Sequence, residues 1–422
     1  MSSASAPLDV VFVSRVFAPG SRHGGSMTDQ AVLGEELLRR GHRVRVLTTD
    51  LFHPGRRYPN GQLREQYCGM AIERLRTQAS YHWDAVGTGA RRMVARTLGS
   101  GTILHVFGVR HYLEHVAIRM ARRLRVHTFI MPQGSIPAKE RHVAEKKVFD
   151  ALLERKALAF ADGVIATSEP EYQALVAWGL PPTHIYQLPE FGERLPPPQL
   201  PREHVRRALG VPEAATLLVW SGRIHRVKGM DLLLDVLARD DVLKDVFVVV
   251  MGDDEGDGEA ARWSARAIQL GLRHRILFQG WCDAQARSNL YSAADAFVLP
   301  SISESFSRSA AEALILGCPL IASDTCGIVN HAAEASLIFR RTADELGNAI
   351  RTWTTSRELR ERLTEGTTTV AARLNPERAA EFLERLYMDP ARHQVGRLLT
   401  LKRKKKRAAP DTVKPAKRMP KR

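Results

Sequence analysis

The sequence contains little cysteine. Its four cysteines are Cys68, Cys282, Cys318 and Cys326, and no two of them form a Cys-x-x-Cys pair. Disulfide frameworks and thiolate zinc sites require more numerous or more closely spaced cysteines. We therefore expect reduced thiols, and neither a disulfide-stabilised fold nor a structural zinc site.

Two common phosphate-binding motifs are also absent. No glycine is followed by Lys and then Ser or Thr, which argues against the phosphate loop of ATP-hydrolysing enzymes. The loop after the first predicted strand, residues 9 to 14, ends in Gly24, Gly25 and Ser26 and lacks the spacing Gly-x-Gly-x-x-Gly. That spacing is typical of nicotinamide dinucleotide sites, so we do not predict one here.

Long hydrophobic runs are missing as well. No uninterrupted apolar segment is long enough to cross a bilayer, and residues 1 to 7 do not have the pattern of a secretory signal. We expect a cytoplasmic protein, and a peripheral position on the inner face of the cell membrane is compatible with that expectation.

Acidic residues are few relative to basic ones, since 46 Asp and Glu face 62 Lys and Arg, giving a formal net charge of +16. Residues 401 to 422 contain eleven basic residues and one acid, so they carry +10 of this charge. We predict that residues 391 to 422 form a disordered basic tail. Such a tail could bind an anionic membrane surface, at about 1 kcal/mol per basic residue near the lipid, or the phosphates of nucleic acid.

Predicted strands and helices alternate in both halves of the chain, which favours two parallel, doubly wound α/β sheets. A length of 422 residues is also too great for one ordinary core. Five prolines between residues 188 and 201 exclude a continuous helix or central strand there. We predict an N-terminal domain over residues 1–188, a hinge over 189–201 and a C-terminal domain over 202–375.

Two cations follow a predicted strand that begins near Leu217. The segment Ser-Gly-Arg223-Ile-His-Arg-Val-Lys228-Gly leads into an amphipathic helix, for which we predict Asp231 as the cap. Arg223 can grip two oxygens of a diphosphate and Lys228 can act as a point charge, without a metal. Ordinary surface cations on a strand-to-helix loop are the alternative.

Two acids bracket the start of a later helix. Residues 296 to 300 read as a buried strand and residues 308 to 316 as a helix, so that Glu304 lies in the loop and Glu312 inside the helix. In open α/β sheets, ligands bind at this strand-to-helix position, and an acid there can accept hydrogen bonds from ribose or sugar hydroxyls. A solvated helix face is the alternative for the spacing alone.

Together these segments resemble the retaining glycosyltransferases of family 4, and the resemblance covers roughly residues 8 to 388. The carrying motifs are GRxxxxKG at Arg223 and Lys228, and ExxxxxxxE at Glu304 and Glu312. Further matches occur in the family's order at Gly252-Asp253, Phe278-Gln-Gly-Trp281 and residues 293 to 300. The resemblance implies the GT-B architecture, in which two Rossmann-like domains face each other across a cleft.

The resemblance also implies roles for individual residues. Arg223 and Lys228 would hold the donor diphosphate, Glu312 would bind the ribose, and Glu304 would face the donor sugar. The remaining donor-binding positions implied are the backbone of Ser305, Phe306 and Ser307, the base neighbours Gly252 and Asp253, and the N-terminal residues Gly24, Gly25 and Gln133. Gln133 stands where many members have His, so a titrating group is missing from that position.

Two further expectations concern local structure. In the N-terminal half, Ser26 and Asp29 predict a capping box for the first helix. At the other end, family members let their final helix cross back to the N-terminal domain, and we assign that role to residues 376–390.

We therefore expect transfer of a hexosyl unit from a nucleotide diphosphate sugar to a glycan or lipid-linked acceptor, with retention of configuration and without a metal or other cofactor. The family's acceptors favour an anionic membrane over nucleic acid as partner of the tail. Two alternatives stay open: an enzyme that modifies the nucleotide sugar itself, such as an epimerase, and a non-enzymatic nucleic-acid-binding protein on the same scaffold.

Overall fold

The structure is a computed structural model that describes residues 6–18, 25–53, 56–58, 61–81, 84–136, 143–254 and 256–389. Gly24 and the basic tail, residues 391–422, lie outside the described residues. The N-terminal elements are β1 (Asp9–Ser14), α1 (Gly25–Arg39), β2 (Arg43–Thr49), β3 (Leu51–His53), β4 (Arg56–Arg57), β5 (Arg64–Tyr67), β6 (Met70–Leu75), β7 (Ala79–Tyr81), β8 (Asp84–Val86), α2 (Ala90–Thr97), β9 (Thr102–Phe107), α3 (Tyr112–Leu124), β10 (His127–Met131), α4 (Val143–Phe149), α5 (Arg155–Phe160), β11 (Gly163–Ala166), α6 (Glu169–Trp178) and β12 (Ile185–Gln187).

The C-terminal elements follow after an extended segment, residues 188–201. They are α7 (Arg202–Ala208), β13 (Thr216–Ser221), α8 (Met230–Arg239), β14 (Val246–Met251), α9 (Glu259–Gln269), β15 (Ile276–Gly280), α10 (Ala284–Ala293), β16 (Ala296–Leu299), α11 (Arg308–Ile315), β17 (Leu320–Ser323), β18 (Ser336–Phe339), α12 (Ala343–Thr355), α13 (Arg357–Arg373) and α14 (Pro376–Met388).

Most strands form two large sheets, one in each half, whereas β3 with β4 and β7 with β8 form two small antiparallel sheets. The N-terminal sheet has the order β12-β11-β10-β9-β1-β2-β6-β5, and the C-terminal sheet has the order β15-β14-β13-β16-β17-β18. All neighbours in these two large sheets pair in parallel except β5 and β6. Chain order reverses between β1 and β9 in one sheet and between β13 and β16 in the other. The prediction of two doubly wound, mainly parallel α/β sheets is therefore confirmed. Ligands bind at such switch points in doubly wound folds.

Both faces of each sheet are covered, which explains the nearly continuous apolar strands. In β1, Val11 and Val13 pack in a core with α2, α3, α5 and α6, whereas Val10 and Phe12 pack in a second core with α1 and α14. The C-terminal sheet is likewise enclosed by α7, α10, α11 and α13 on one face and by α8, α9 and α12 on the other.

Helix α14 packs on the N-terminal domain although it follows the C-terminal one. The hydroxyl of Tyr387 contacts Nδ1 of His105, which lies in β9. Both side chains are buried, and burial lowers the pKa of His105 to about 3. This helix therefore ties the end of the described chain to the first domain.

The local caps differ from the sequence-based predictions in two places. Helix α1 begins at Gly25, so Ser26 is already helical, and Asp29 pairs with Arg308 of the other domain rather than closing a capping box. Helix α8 begins at Met230 after Gly229, and the Asp231 carboxylate pairs with Arg262 at 2.7 Å instead of capping the helix. Asp231 lies in the first turn of α8 and Asp29 lies one turn into α1. Near a helix start, the sequence alone does not distinguish a capping acid from one with a tertiary partner.

Residues 188–201 carry neither helix nor strand, in agreement with their prolines. The segment lies against α11, because a Cβ on Gly192 would meet the side chain of Ile315 at 2.8 Å and that of Ala311 at 3.0 Å. In the part of the chain that the structure describes, no helix combines the length and the apolar character needed to span a membrane.

Candidate donor-binding site

Two loops at the switch point of the C-terminal sheet bring Lys228 and Glu304 together. Lys228 ends a short turn after β13, and Glu304 lies in the loop after β16. The Lys228 ammonium contacts the Glu304 carboxylate, and each side chain is about one-fifth exposed. The backbone supports this pairing, since Ile302 N–H donates to the Val227 carbonyl at 2.7 Å.

Two glycines allow the loops to approach this closely. A Cβ on Gly229, whose φ is +72°, would lie 2.0 Å from the Pro300 carbonyl oxygen. A Cβ on Gly252, whose φ is +139°, would lie 1.9 Å from the Gly222 carbonyl oxygen. Only glycine fits such positions without moving the backbone. The ends of β13, β14 and β16 are therefore held together by direct backbone contact.

Arg223 and Asp253 lie on the exposed side of the surface formed by the ends of β13, β14 and β16. Arg223 directly follows Gly222 and is exposed. Ile224 N–H donates to the Asp253 carbonyl at 3.0 Å, which joins the Arg223 loop to the end of β14. The exposed Asp253 carboxylate accepts a hydrogen bond from Asp254 N–H at 3.0 Å. Arg223 and Lys228 thus present two cations on one loop, as a diphosphate clamp requires.

Residues 305–307 lead into α11. The Ser307 hydroxyl caps the helix by accepting a hydrogen bond from Ala310 N–H, and the Phe306 ring packs edge-on against His331. The Glu304 carbonyl accepts from Gly327 N–H at 2.8 Å, so the loop after β17 braces this segment. The start of α11 therefore offers helix N–H groups next to Glu304, an arrangement that can bind an anion.

Glu312 lies inside α11, as the sequence predicts, and it is buried. Arg287 of α10 donates to its Oε2 at 2.6 Å, and the Tyr291 hydroxyl donates to the same oxygen at 3.3 Å. Burial raises the pKa of Glu312 to about 7, although the Arg287 charge acts in the opposite direction. This carboxyl can therefore change its charge near neutral pH.

The predicted N-terminal residues lie on the other domain. Gly25 is the first residue of α1, and Gln133 follows β10 at the carboxyl edge of the N-terminal sheet. Gln133 has a left-handed backbone with φ of 55°, and the next residue, Gly134, donates its N–H to Glu171 at 2.5 Å. Glu171 therefore fixes this loop from α6.

Sequence reasoning missed two arginines. Arg287 joins Glu312 to Glu193 of the extended segment that connects the domains, and it contacts Glu193 at 2.9 Å. Arg287 and Tyr291 are four residues apart and therefore lie on one face of α10. This spacing could have indicated that the two side chains share a partner. Arg308 lies inside the acid-pair motif and is the first residue of α11, where a cation opposes the helix dipole. That unfavourable position was the available signal for a tertiary partner.

The described side chains were also compared with the ligand groups that bind metal ions. Within the described residues, His, Cys, Asp and Glu side chains nowhere gather in a group of three that could hold a metal ion. The chemistry of the site's own side chains is that of charge pairing and hydroxyl binding.

Comparison with known families agrees with this geometry in both halves. The family "Glycosyl transferase 4-like domain" matches residues 24–190, and the family "Glycosyl transferases group 1" matches residues 201–370. The border between the two matches falls within the extended segment that connects the domains.

Among curated relatives, D-inositol 3-phosphate glycosyltransferase of Thermobifida fusca is 30% identical over 282 residues, covering 64% of this chain and 63% of the relative. The protein of the same name from Xylanimonas cellulosilytica is 29% identical over 224 residues, covering 51% of each. In these two matches the chain spans between about half and about two thirds of the relative's length.

Solved structures show the same fold at lower identity. Sucrose-phosphate synthase from Thermosynechococcus elongatus has a TM-score of 0.68 at 22% identity, covering 90% of this chain and 98% of that one. HepE of Anabaena in complex with UDP has a TM-score of 0.70 at 16% identity, covering 90% and 100%. The two family matches, the curated relatives and the two facing Rossmann-like domains lead to one assignment: the chain belongs to the family 4 glycosyltransferases of GT-B architecture.

Proposed function

We propose that this protein transfers a hexosyl unit from a nucleotide diphosphate sugar to an acceptor hydroxyl, with retention of anomeric configuration. The observation that carries the proposal is the contact of Lys228 with Glu304 at the switch point of the C-terminal sheet, with Arg223 on the same loop. A diphosphate and a sugar are the two groups that this pair of charges would recognise side by side.

The donor class has support from related folds. Structures of Anabaena HepE are described as complexes with UDP and with UDP-glucose. In the proposed reaction, Arg223 and Lys228 stabilise the charge that develops on the departing diphosphate. The first turn of α11 adds N–H groups, and Glu312 accepts hydrogen bonds from the ribose hydroxyls. These cations fill the role that a metal has in other transferases, so we propose a reaction without metal or other cofactor.

Glu304 has the second role in the proposal. Its carboxylate would accept hydrogen bonds from the donor sugar and orient the sugar over the diphosphate, together with the backbone of residues 305–307. In the family mechanism the donor's own phosphate assists the acceptor hydroxyl. Gly24, Gly25 and Gln133 would form the opposite wall, and Gly252 and Asp253 would lie near the base.

We propose that the acceptor is a glycan or a lipid-linked molecule, and that the protein binds it at the surface of an anionic membrane. Val148 and Leu152, one turn apart on the outer surface of the N-terminal domain, are 60% and 59% exposed. Arg122 and Arg123 of the neighbouring helix α3 are exposed too, and the Arg122 guanidinium lies 5.8 Å from the Phe160 ring of α5. Exposed aliphatic groups and exposed arginines on the same domain suit an anionic lipid surface.

The transfer reaction is tested with isotopically labelled nucleotide sugars and a panel of glycan and lipid-linked acceptors, with and without a chelator. We expect one donor to yield a product whose NMR coupling shows the donor's anomeric configuration, and we expect full activity with the chelator present. Inverted product would contradict retention, and loss of activity in chelator would contradict the metal-free reaction. Turnover of donor without any acceptor would favour the epimerase alternative.

The membrane proposal is tested by co-sedimentation with vesicles of neutral lipid or of neutral lipid plus phosphatidylserine. We expect binding to the anionic vesicles alone, weakened by salt and by removal of residues 391–422. Equal binding to both vesicles would contradict it, as would tighter binding of the tail to an oligonucleotide than to lipid.

A further inference from the structure

We propose that Arg308 is a positioning residue for the transfer, which holds helix α11 of the donor-binding domain in register with helix α1 of the opposite domain. The proposal rests on the proposed function for its consequence in turnover. Its geometric content concerns the two domains themselves and can be tested without any substrate.

The first observation is a two-point ion pair between the domains. Arg308 Nε lies 2.8 Å from one carboxylate oxygen of Asp29, and Arg308 Nη2 donates to the other at 2.9 Å. The two residues are 279 positions apart in the sequence. The Asp29 side chain is 7% exposed and that of Arg308 is 18% exposed. One hydrogen bond and a second close charge contact from the same planar guanidinium restrict the orientation of the two side chains as well as their distance.

The second observation is that the same guanidinium also grips the connecting segment. Its Nη1 donates to the Phe191 carbonyl and lies 3.7 Å from the Glu190 carboxylate. Its Cζ lies 4.3 Å from the Phe191 ring centroid and 5.2 Å from that of Phe306. One side chain thus contacts both domains and the segment about which they would open.

Charge balance gives a further reason why Arg308 is needed at this point. Asp29 and Glu190 are both buried or nearly so, and burial raises the pKa of both carboxyls, that of Glu190 to about 8. Arg308 lowers both pKa values. Replacing Arg308 would remove the cation that both poorly exposed carboxyls contact, and separation of the two domains would let water solvate these carboxyls instead.

The consequence for the reaction follows from the position of Arg308 in α11. It is the residue after the Ser307 cap and lies one turn before Glu312, so a fixed Arg308 fixes the first turn of this helix. The opposite partner, Asp29, lies one turn after Gly25, where α1 begins. The Arg308–Asp29 pair therefore sets the distance between the start of α11, on the donor side, and the start of α1, whose glycines we propose for the opposite side of the cleft.

A residue of this kind affects turnover more than donor affinity. The side chains that we propose for the nucleotide, Arg223, Lys228 and Glu312, all lie in the C-terminal domain and do not pair with Arg308, so nucleotide binding should change much less than turnover when Arg308 is replaced. Transfer needs both walls, and a displacement of about 1 Å between reacting groups can cost about 100-fold in rate. We therefore expect kcat to fall while the nucleotide dissociation constant stays close to that of the wild type.

The experiment compares Arg308→Gln, Arg308→Lys and Asp29→Asn with wild type. Arg373→Gln is the matched control, since Arg373 pairs with Glu334 within the C-terminal domain at 2.8 Å. Small-angle scattering of the substrate-free proteins measures the separation of the domains. Calorimetry measures the affinity for the nucleotide diphosphate that binds the wild type, and steady-state assays measure kcat and donor KM.

We expect a larger radius of gyration for Arg308→Gln and Asp29→Asn, partial rescue in Arg308→Lys, and no change in Arg373→Gln. A radius of gyration equal to that of wild type in both Arg308→Gln and Asp29→Asn would overturn the proposal, and so would a loss of nucleotide affinity equal to the loss of kcat, which would make Arg308 a direct ligand. If the wild type binds no nucleotide, the proposed function fails, but scattering still decides the role of Arg308. If Arg308→Gln does not fold, the isosteric Asp29→Asn gives the same answer.

Discussion

The Lys228 ammonium contacts the Glu304 carboxylate across a sequence separation of 76 residues. The pair joins the loop after β13 to the loop after β16, the two strands between which the C-terminal sheet reverses its order. The cation of the proposed diphosphate clamp is thus paired with the acid proposed to face the sugar. A diphosphate would have to compete with Glu304 for Lys228.

This pairing predicts an energetic coupling between the two side chains. Lys228→Met and Glu304→Gln should each destabilise the fold, and the double variant should cost less than their sum by about 1–3 kcal/mol. The measurement is urea unfolding of the four proteins. The exposed pair Arg373 and Glu334, with side chains 37% and 48% accessible, is the control and should couple by about 0–1 kcal/mol. If the coupling energy of Lys228 with Glu304 equals that of the exposed control pair, the contact between Lys228 and Glu304 contributes no more to stability than a surface ion pair.

Glu312 predicts a pH dependence of stability near neutrality. Its pKa is about 7 in the folded protein against an ordinary value of 4.5, so the folded state holds this proton more tightly than the unfolded chain. The stabilisation from this group is complete below pH 4.5 and is lost as pH rises through about 7. Urea unfolding between pH 5 and 8, at about one-unit intervals, should show this loss in wild type and not in Glu312→Gln. Parallel curves for the two proteins would contradict it.

Arg287 predicts a shift of that titration. Because its charge lowers the pKa of Glu312, Arg287→Met should move the titration to higher pH. If the Glu312 carboxylate accepts the ribose hydroxyls, nucleotide affinity in wild type should rise with pH through about 7, and in Arg287→Met the rise should occur at higher pH. Calorimetric titrations across this range measure the midpoint. Arg266→Met, which removes a surface pair with Asp235 at 2.9 Å, should leave the midpoint in place.

The contact of Gly229 with Pro300 predicts a difference between two glycines of equal backbone angle. Gly229 and Gly271 both have φ of +72°, but nothing lies within 4 Å of a Cβ on Gly271. Gly271→Ala should therefore cost only the left-handed strain of about 1 kcal/mol. Gly229→Ala must also push away the Pro300 carbonyl, and should cost about 1–3 kcal/mol more. Chemical denaturation of both variants measures the difference, and equal costs would show that the loops do not need this close approach.

Much of the donor-side geometry could be predicted from sequence because its signals are local. The strand at 296–300 and the helix containing Glu312 follow from the apolar run and from helix start and stop signals. The structure has the strand Ala296–Leu299 and the helix Arg308–Ile315. The cation loop after β13 and the acid loop after β16 then meet, because parallel strands place their carboxyl ends at one edge.

The partners of the two missed arginines could not be predicted in this way. Asp29 satisfies the local rule for a capping box, yet its carboxylate belongs to Arg308 in the other domain. Arg287 has acids near it in sequence, such as Asp283, but its partners are Glu312, from another helix, and Glu193, from the segment that connects the domains. Charge pairing between distant segments depends on how the elements pack, and a single sequence carries no periodic signal for it.

The donor site is tested most directly by thermal unfolding of the wild type, Lys228→Ala and Lys244→Ala with a panel of nucleotide diphosphates and their sugars, without added metal. Lys244 is an exposed cation before β14, at the opposite edge of the sheet. A ligand at about 100 times its dissociation constant stabilises the folded state by about 2.7 kcal/mol. The account predicts that nucleotides of one base raise the unfolding temperature of wild type and Lys244→Ala, and that this rise is lost in Lys228→Ala. No rise with any nucleotide in the wild type, or an undiminished rise in Lys228→Ala, would contradict it.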